Sequence, residues 1–184
     1  MLSAFSAHEA IQRMAGRRIL VIGDVMLDHF VYGTVDRISP EAPIPVLKVQ
    51  RETQMLGGAG NVVRNIAALG ASATLVAVIG NDDAGKAISG LMSAETNLNP
   101  AFLTIENRPT SLKVRHVASN QQMLRTDRET NAPLSAAEEA GLITILRQEV
   151  AKCDIVILSD YAKGVLTPQV ISTVCSLARA QGKR

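Results

Sequence analysis

Tryptophan is absent from this sequence, and only three phenylalanines and two tyrosines stand among its 184 residues. So few rings supply no platform on which the bases of a single-stranded nucleic acid could stack. Excess charge of one sign is missing too. Nineteen Lys and Arg face 17 Asp and Glu for a net charge of +2, and the basic residues are scattered, so no nucleic-acid footprint is expected. Cysteine occurs only at Cys153 and Cys175, without C-x-x-C or ligand-like spacing, and the pair reads as small buried apolar residues in a reducing compartment. His8, His29 and His116 make no metal-ligand pattern with them. Apolar runs such as "ILVIG" and "DIVIL" are far too short to span a bilayer. The opening "MLSAFSAHEAIQRMAGRR" lacks the apolar core of a signal peptide and reads as a short amphipathic helix, so a cytoplasmic location is expected.

What is present is 47% hydrophobic residues, enough for one sizeable folded domain. "RRILVIGD", "ATLVAVIG" and "DIVILSD" are uninterrupted apolar runs, the mark of strands buried on both faces of a parallel sheet; "FLTIE" predicts a further strand. Amphipathic helices alternate with them: about Ala59 to Leu69 closed by Gly70, "DDAGKAISGLMSA" capped by Asp82 or Asp83, "SAAEEAGLITILRQEVA" opened by a Ser135–Glu138 capping box, and "TPQVISTVCSLARAQG" with Pro168 in its first turn and Gly182 at its end. Strands alternating with helices predict an α/β domain. Residues 29–50 and 111–127 differ, being polar, β-branched and, in the first case, broken by prolines. They predict two peripheral hairpins, the second turning near Ser119–Asn120. The closing helix should deliver the chain to another parallel strand, so residues 1–184 are expected to be the N-terminal part of a longer domain.

The stretch "LGGAGNVVRNIAALG" puts glycines at 57, 58 and 60, then Asn61, at a helix start. Bare backbone of this kind serves tight turns or close approach of a ligand. A dinucleotide fingerprint nearly fits, but it needs a buried strand before it where "KVQRETQM" is polar, and Val63 occupies the third small position. "GNDDAGKA" imitates a phosphate-binding loop, yet Ala87 replaces the magnesium-binding hydroxyl and Asp82–Asp83 would repel phosphate. An acidic helix cap explains it better, with Lys86 solvated.

"GGAGNVVRNIAALGASATLVAVIG" closely resembles the first signature of the ribokinase/PfkB sugar-kinase family, with Gly57, Gly58, Asn61, Gly70 and Gly80 in place and Val63 departing from a usually small residue. "GDVMLDHFVYG", "RISPEAPIPV", "SNQQMLRTD" and "LSDYAKG" resemble the heptose-7-phosphate kinases within it, in order and over nearly the whole chain. The resemblance implies a ribokinase-like three-layer α/β/α fold with a mainly parallel sheet and a small β-lid. It implies that Gly57–Gly58 lets a sugar lie close, that Asn61 hydrogen-bonds its hydroxyls, and that Asp28 is the sugar-binding carboxylate, able to accept two hydroxyl hydrogen bonds. Asp24 reads as a turn stabiliser. Asp160, at the carboxyl end of a strand, reads as a ligand residue in preference to a helix cap. Lys163 is either a phosphate contact or a surface residue. Lys113 and Arg115 share a strand face and suit the phosphate of a sugar phosphate, or are solvated edge-strand charges; hairpin register decides whether Arg125 joins them.

The implied activity is ATP- and Mg2+-dependent phosphorylation of D-glycero-β-D-manno-heptose 7-phosphate at C1, towards ADP-heptose for lipopolysaccharide. The family's general base is the Asp of a G-A-G-D motif, expected beyond Arg184; the only Gly-Asp pair here is Gly23–Asp24. The chain alone is therefore expected to be inactive, and a non-catalytic sugar-phosphate-binding or dimerising fragment is the competing reading. In the family it resembles, such strands form a lid over the sugar that often pairs between subunits, and the apolar faces of the hairpins need cover, so a homodimer through the lid is expected.

Overall fold

A computed structural model describes residues 6–183; the first part of the expected N-terminal helix lies outside them. Helix α1 (Ala7–Met14) opens on the hydroxyl of Ser6, which accepts the Glu9 N–H. Four strands form a wholly parallel sheet in the order β5-β4-β1-β8: β1 (Arg18–Gly23), β4 (Ser72–Gly80), β5 (Leu98–Ile105) and β8 (Ile155–Ser159). Its strands alternate inward residues to two cores. Val21, Leu75 and Ala77 pack with Val63, Ile66, Ile88 and Met92 of α2 (Ala59–Ala68) and α3 (Asp83–Ser93). Leu20, Ile22, Val76 and Val78 pack with Leu142, Leu146, Val150, Val170 and Val174 of α4 (Ala136–Lys152) and α5 (Pro168–Ala180). Each such aliphatic side chain contributes roughly 1.5–3 kcal/mol when fully buried. The three-layer α/β/α arrangement expected from the sequence is present.

The caps are those the sequence encodes. Ser135 and Glu138 close the capping box of α4, Asp82 caps α3, Thr167 precedes Pro168 at the start of α5, and Gly70 and Gly182 take positive φ behind α2 and α5. Lys86 is solvated beside Asp83, as an acidic cap requires. Cys153 is buried, and burial pushes its thiol up; Cys175 is only half-buried, correcting the expectation that both lie inside.

The two hairpins join into one sheet, ordered β3-β2-β6-β7: β2 (Val25–Ile38), β3 (Pro45–Gly58), β6 (Ser111–Ala118) and β7 (Gln121–Arg128). Its middle pair, β2 with β6, is parallel. The polar "KVQRETQM" lies in β3, an outer strand of this second sheet that runs straight into α2, whereas a dinucleotide fingerprint needs a buried one. Strand β2 leaves directly from the carboxyl end of β1. Strand β6 is bolted to the carboxyl end of β4, where the Gly80 N–H donates to Thr110 Oγ1 at 2.8 Å and the Thr110 N–H donates to Asp82 Oδ2 at 2.9 Å. The second sheet thus sits at the carboxyl ends of the parallel strands, where α/β proteins bind ligands.

Candidate functional site

Alternation along β2 points Asp28, Phe30 and Tyr32 to one face of the second sheet. Register pairs Asp28 with Lys113 and Phe30 with Arg115, so those cations share that face. The pairing of Arg115 with Arg125 and of Lys113 with Asp127 brings Arg125 to it as well, which settles the hairpin register. Strand β6 is interior to its sheet, so Lys113 and Arg115 are not solvated edge charges; the Lys113 side chain is only 14% exposed.

Arg115 Nη1 lies 2.5 Å from Asp28 Oδ1, and its guanidinium sits 5.1 Å from the Phe30 ring centroid. The other carboxylate oxygen rests against the glycine pair: a Cβ on Gly57 would come within 2.3 Å of Asp28 Oδ2. Gly58 has φ +57°, and a Cβ there would meet the Asp24 carbonyl oxygen at 2.5 Å. Both positions require the missing side chain, because the space a Cβ would take is filled by the Asp28 carboxylate, Met26 and the Asp24 carbonyl.

Beside this pair runs a line of alternating charges. Lys113 Nζ donates to Asp127 and to Glu129, both at 2.9 Å, and Lys163 Nζ donates to Glu129 at 2.7 Å and to Asn131 at 3.1 Å. Burial pushes the Lys113 ammonium down, but its hydrogen bonds to Glu129 and Asp127 outweigh burial and hold it above the usual lysine value. The Lys163 and Lys113 hydrogen bonds hold the Glu129 carboxyl below the ordinary glutamate value. Lys163 is neither a free surface residue nor an unpaired phosphate contact, since its side chain is 17% exposed and paired.

Asp24 is 1% exposed and accepts the backbone N–H groups of Tyr161, Lys163 and Val165, a larger version of the turn-stabilising role expected of it. Asp160 caps no helix; its carboxylate accepts the Ala162 N–H at 2.8 Å. Asn61 lies in the first turn of α2 and lines a shallow depression with Arg64, Asn65 and Glu95. No described contact brings its amide to Asp28. Sequence reasoning missed Glu129, which joins two lysines 16 and 34 residues away, and Arg108, which donates to the Ala132 and Lys163 carbonyls at 2.9 and 2.6 Å. Neither carries a local signal, because the partners meet only through the fold. Among the described residues no group of three or more His, Cys, Asp or Glu is placed to hold a metal ion, and no helix is long and apolar enough to cross a membrane.

A parallel three-layer core that carries a second sheet over its carboxyl ends is the ribokinase-like arrangement, and solved structures share it. A carbohydrate kinase from Agrobacterium tumefaciens superposes with a TM-score of 0.61 at 18% identity, over 91% of this chain and 52% of its own. Phosphofructokinase-2 of Escherichia coli, solved with fructose-6-phosphate, superposes at 0.64 with 26% identity, over 91% and 53%. Residues 17–184 match the pfkB family carbohydrate kinases, and the chain belongs to that family. The bifunctional protein HldE of Caulobacter vibrioides is 52% identical over 169 residues, and that of Paramagnetospirillum magneticum 46% over 176. These alignments cover 92% and 96% of this chain but only 34% and 36% of the relatives' length.

Proposed function

We propose that residues 1–184 form the sugar-side portion of a kinase that moves the terminal phosphoryl group of ATP, with Mg2+, to the C1 hydroxyl of D-glycero-β-D-manno-heptose 7-phosphate, a step towards ADP-heptose and lipopolysaccharide. The observation that carries it is the Asp28 carboxylate lodged against the bare Gly57 backbone beside Arg115, Lys113 and Lys163. Asp28 orients sugar hydroxyls, with Asn61 and Asp160 supplying further polar contacts, and the cations meet the 7-phosphate. The resemblance of "GDVMLD" and "LSDYAKG" to heptose-7-phosphate kinases, and the HldE relatives, support the sugar's identity. The second sheet acts as a lid and as the contact between two copies; the exposed Ile38, Val49, Met123 and Leu124 along it support that role.

ATP and Mg2+ supply the phosphoryl group and the neutralisation of its charge. The proton of the attacking hydroxyl needs a base, and the only Gly-Asp pair in these residues cannot provide one, because Asp24 is buried with its carboxylate committed to three backbone N–H groups. The 184-residue chain is therefore expected to bind the sugar phosphate without transferring phosphate to it. Calorimetry with heptose 7-phosphate and a coupled assay for ADP release test both parts. Asp28→Ala should lower affinity by about 3–6 kcal/mol, the value of two hydrogen bonds to a charged acceptor. Unchanged binding removes Asp28 from the site, and robust Mg2+-dependent phosphorylation by these residues alone overturns their assignment as sugar-side only.

A further inference from the structure

We propose that Asp24 is a positioning residue, whose carboxylate gathers the 161–165 segment so that Lys163 is presented to the phosphate group of a bound sugar phosphate. The inference rests on the sugar-phosphate reading of the site. A carboxylate 1% exposed is costly to bury unless its oxygens are saturated. Here Oδ2 accepts the Tyr161 N–H at 2.8 Å and the Lys163 N–H at 3.2 Å, while Oδ1 accepts the Val165 N–H at 3.3 Å. Three alternate N–H groups of one short segment thus converge on a single side chain.

The main chain of Asp24 ties two further pieces to the same point. Its N–H donates to the Ser159 carbonyl at the end of β8, and its carbonyl accepts the Ala59 N–H where the glycine pair enters α2. The gathered segment holds Ala162 at φ +56°, against its local preference, while Gly164 takes φ +84° without steric cost. What that shape achieves is visible at Glu129. Lys163, from behind β8, and Lys113, from β6, converge on this one carboxylate at 2.7 and 2.9 Å. Two ammonium groups thus reach one oxyanion position, the one the Glu129 carboxylate takes and a phosphate monoester would compete for, and the backbone N–H of this same Lys163 is the one Asp24 holds at 3.2 Å.

The test compares the chain with its Asp24→Asn and Lys163→Gln forms. The probes are heptose 7-phosphate and unphosphorylated heptose in calorimetry, and hydrogen exchange at the amides of Tyr161, Lys163 and Val165. Asp24→Asn should lose about tenfold in affinity for the 7-phosphate, the worth of one charge-assisted hydrogen bond, while affinity for free heptose stays within about twofold. The three amides should exchange faster. Lys163→Gln should reproduce the loss, and adding Asp24→Asn to it should cost nothing more, because both act through one ammonium group. Equal loss for both sugars, an intact preference for the phosphate, or additive losses in the double variant overturns the proposal. Should Asp24→Asn not fold, unprotected amides at 161, 163 and 165 in the unmodified chain, or a Lys163→Gln form with full phosphate preference, overturns it equally. If the unmodified chain binds neither sugar, the sugar-phosphate reading fails, and hydrogen exchange still decides whether Asp24 holds the segment.

Discussion

Gly57→Ala adds one methyl group at the most crowded point of the site. The backbone there is extended strand, so alanine meets no conformational penalty; space is what opposes it. The new Cβ would lie 2.3 Å from Asp28 Oδ2, 2.9 Å from Asp28 Cγ and 2.8 Å from Met26 Cγ. Met26 is 5% exposed and Asp28 is clamped by Arg115, so the cheapest escape is rotation of the Asp28 carboxylate away from its guanidinium. Overpacking costs about 1–3 kcal/mol and a lost charge-assisted hydrogen bond about 1.5–3, while the stiffer unfolded chain returns about 0.4–1. The net expectation is a loss of about 1.5–5.5 kcal/mol in urea unfolding, together with weakened binding of heptose 7-phosphate. In an Asp28→Ala background the same change should cost only about 1 kcal/mol, the remainder belonging to Met26, a side chain that repacks readily. A cost below about 0.5 kcal/mol in the parent, or an equal cost in both backgrounds, would refute the close approach of carboxylate and backbone.

Two further expectations concern the frame of the site. Burial pushes the Asp82 carboxyl up, but hydrogen bonds from Thr110 and Gly85 outweigh it and hold the group below its ordinary value of 3.8. The folded state therefore favours the ionised form, and the stability this brings is present above pH 3.8 and lost as pH falls through the lower folded value. Asp82→Asn should cost about 1 kcal/mol at neutral pH, and urea titrations should show the gap closing in strong acid; a gap that persists there removes the linkage. Met123→Asp or Leu124→Asp, at side chains 47% and 56% exposed, should give a folded monomer by light scattering. An unmodified chain that is monomeric at high concentration would refute the contact between copies, though not the lid.

The parallel core was legible because its signals are local. Uninterrupted apolar runs mark β1, β4 and β8, and a serine three residues before a glutamate marks the start of α4 whatever the rest of the chain does. The second sheet was legible only as two hairpins. Their junction pairs β2 with β6 across more than eighty residues, and nothing in either strand names its partner. That junction makes Lys113 and Arg115 interior charges, which removes the solvated-edge alternative of the two readings open to them. The polar run before the glycines is a strand all the same, because an outer strand facing solvent carries polar residues at little cost.

The site divides along the same line. Gly57, Gly58 and Asp28 meet where their motifs led one to expect: two missing side chains, and a carboxylate two strand positions along β2 from Met26, the register partner of Gly57. Which cations are available is instead decided by partners that arrive from elsewhere. Lys113 and Lys163 stand on different elements, and the group that shows them to be neighbours is Glu129, a residue without any motif. An incoming phosphate would meet ammonium groups already held in place by a carboxylate, so it gives up less ordering entropy to engage them but must displace that carboxylate's charge. The two effects oppose one another. On the proposed reading, such an arrangement would favour discrimination between a phosphate monoester and a neutral sugar over raw affinity, since a phosphate dianion, unlike a neutral sugar, can compete with Glu129 for both lysines.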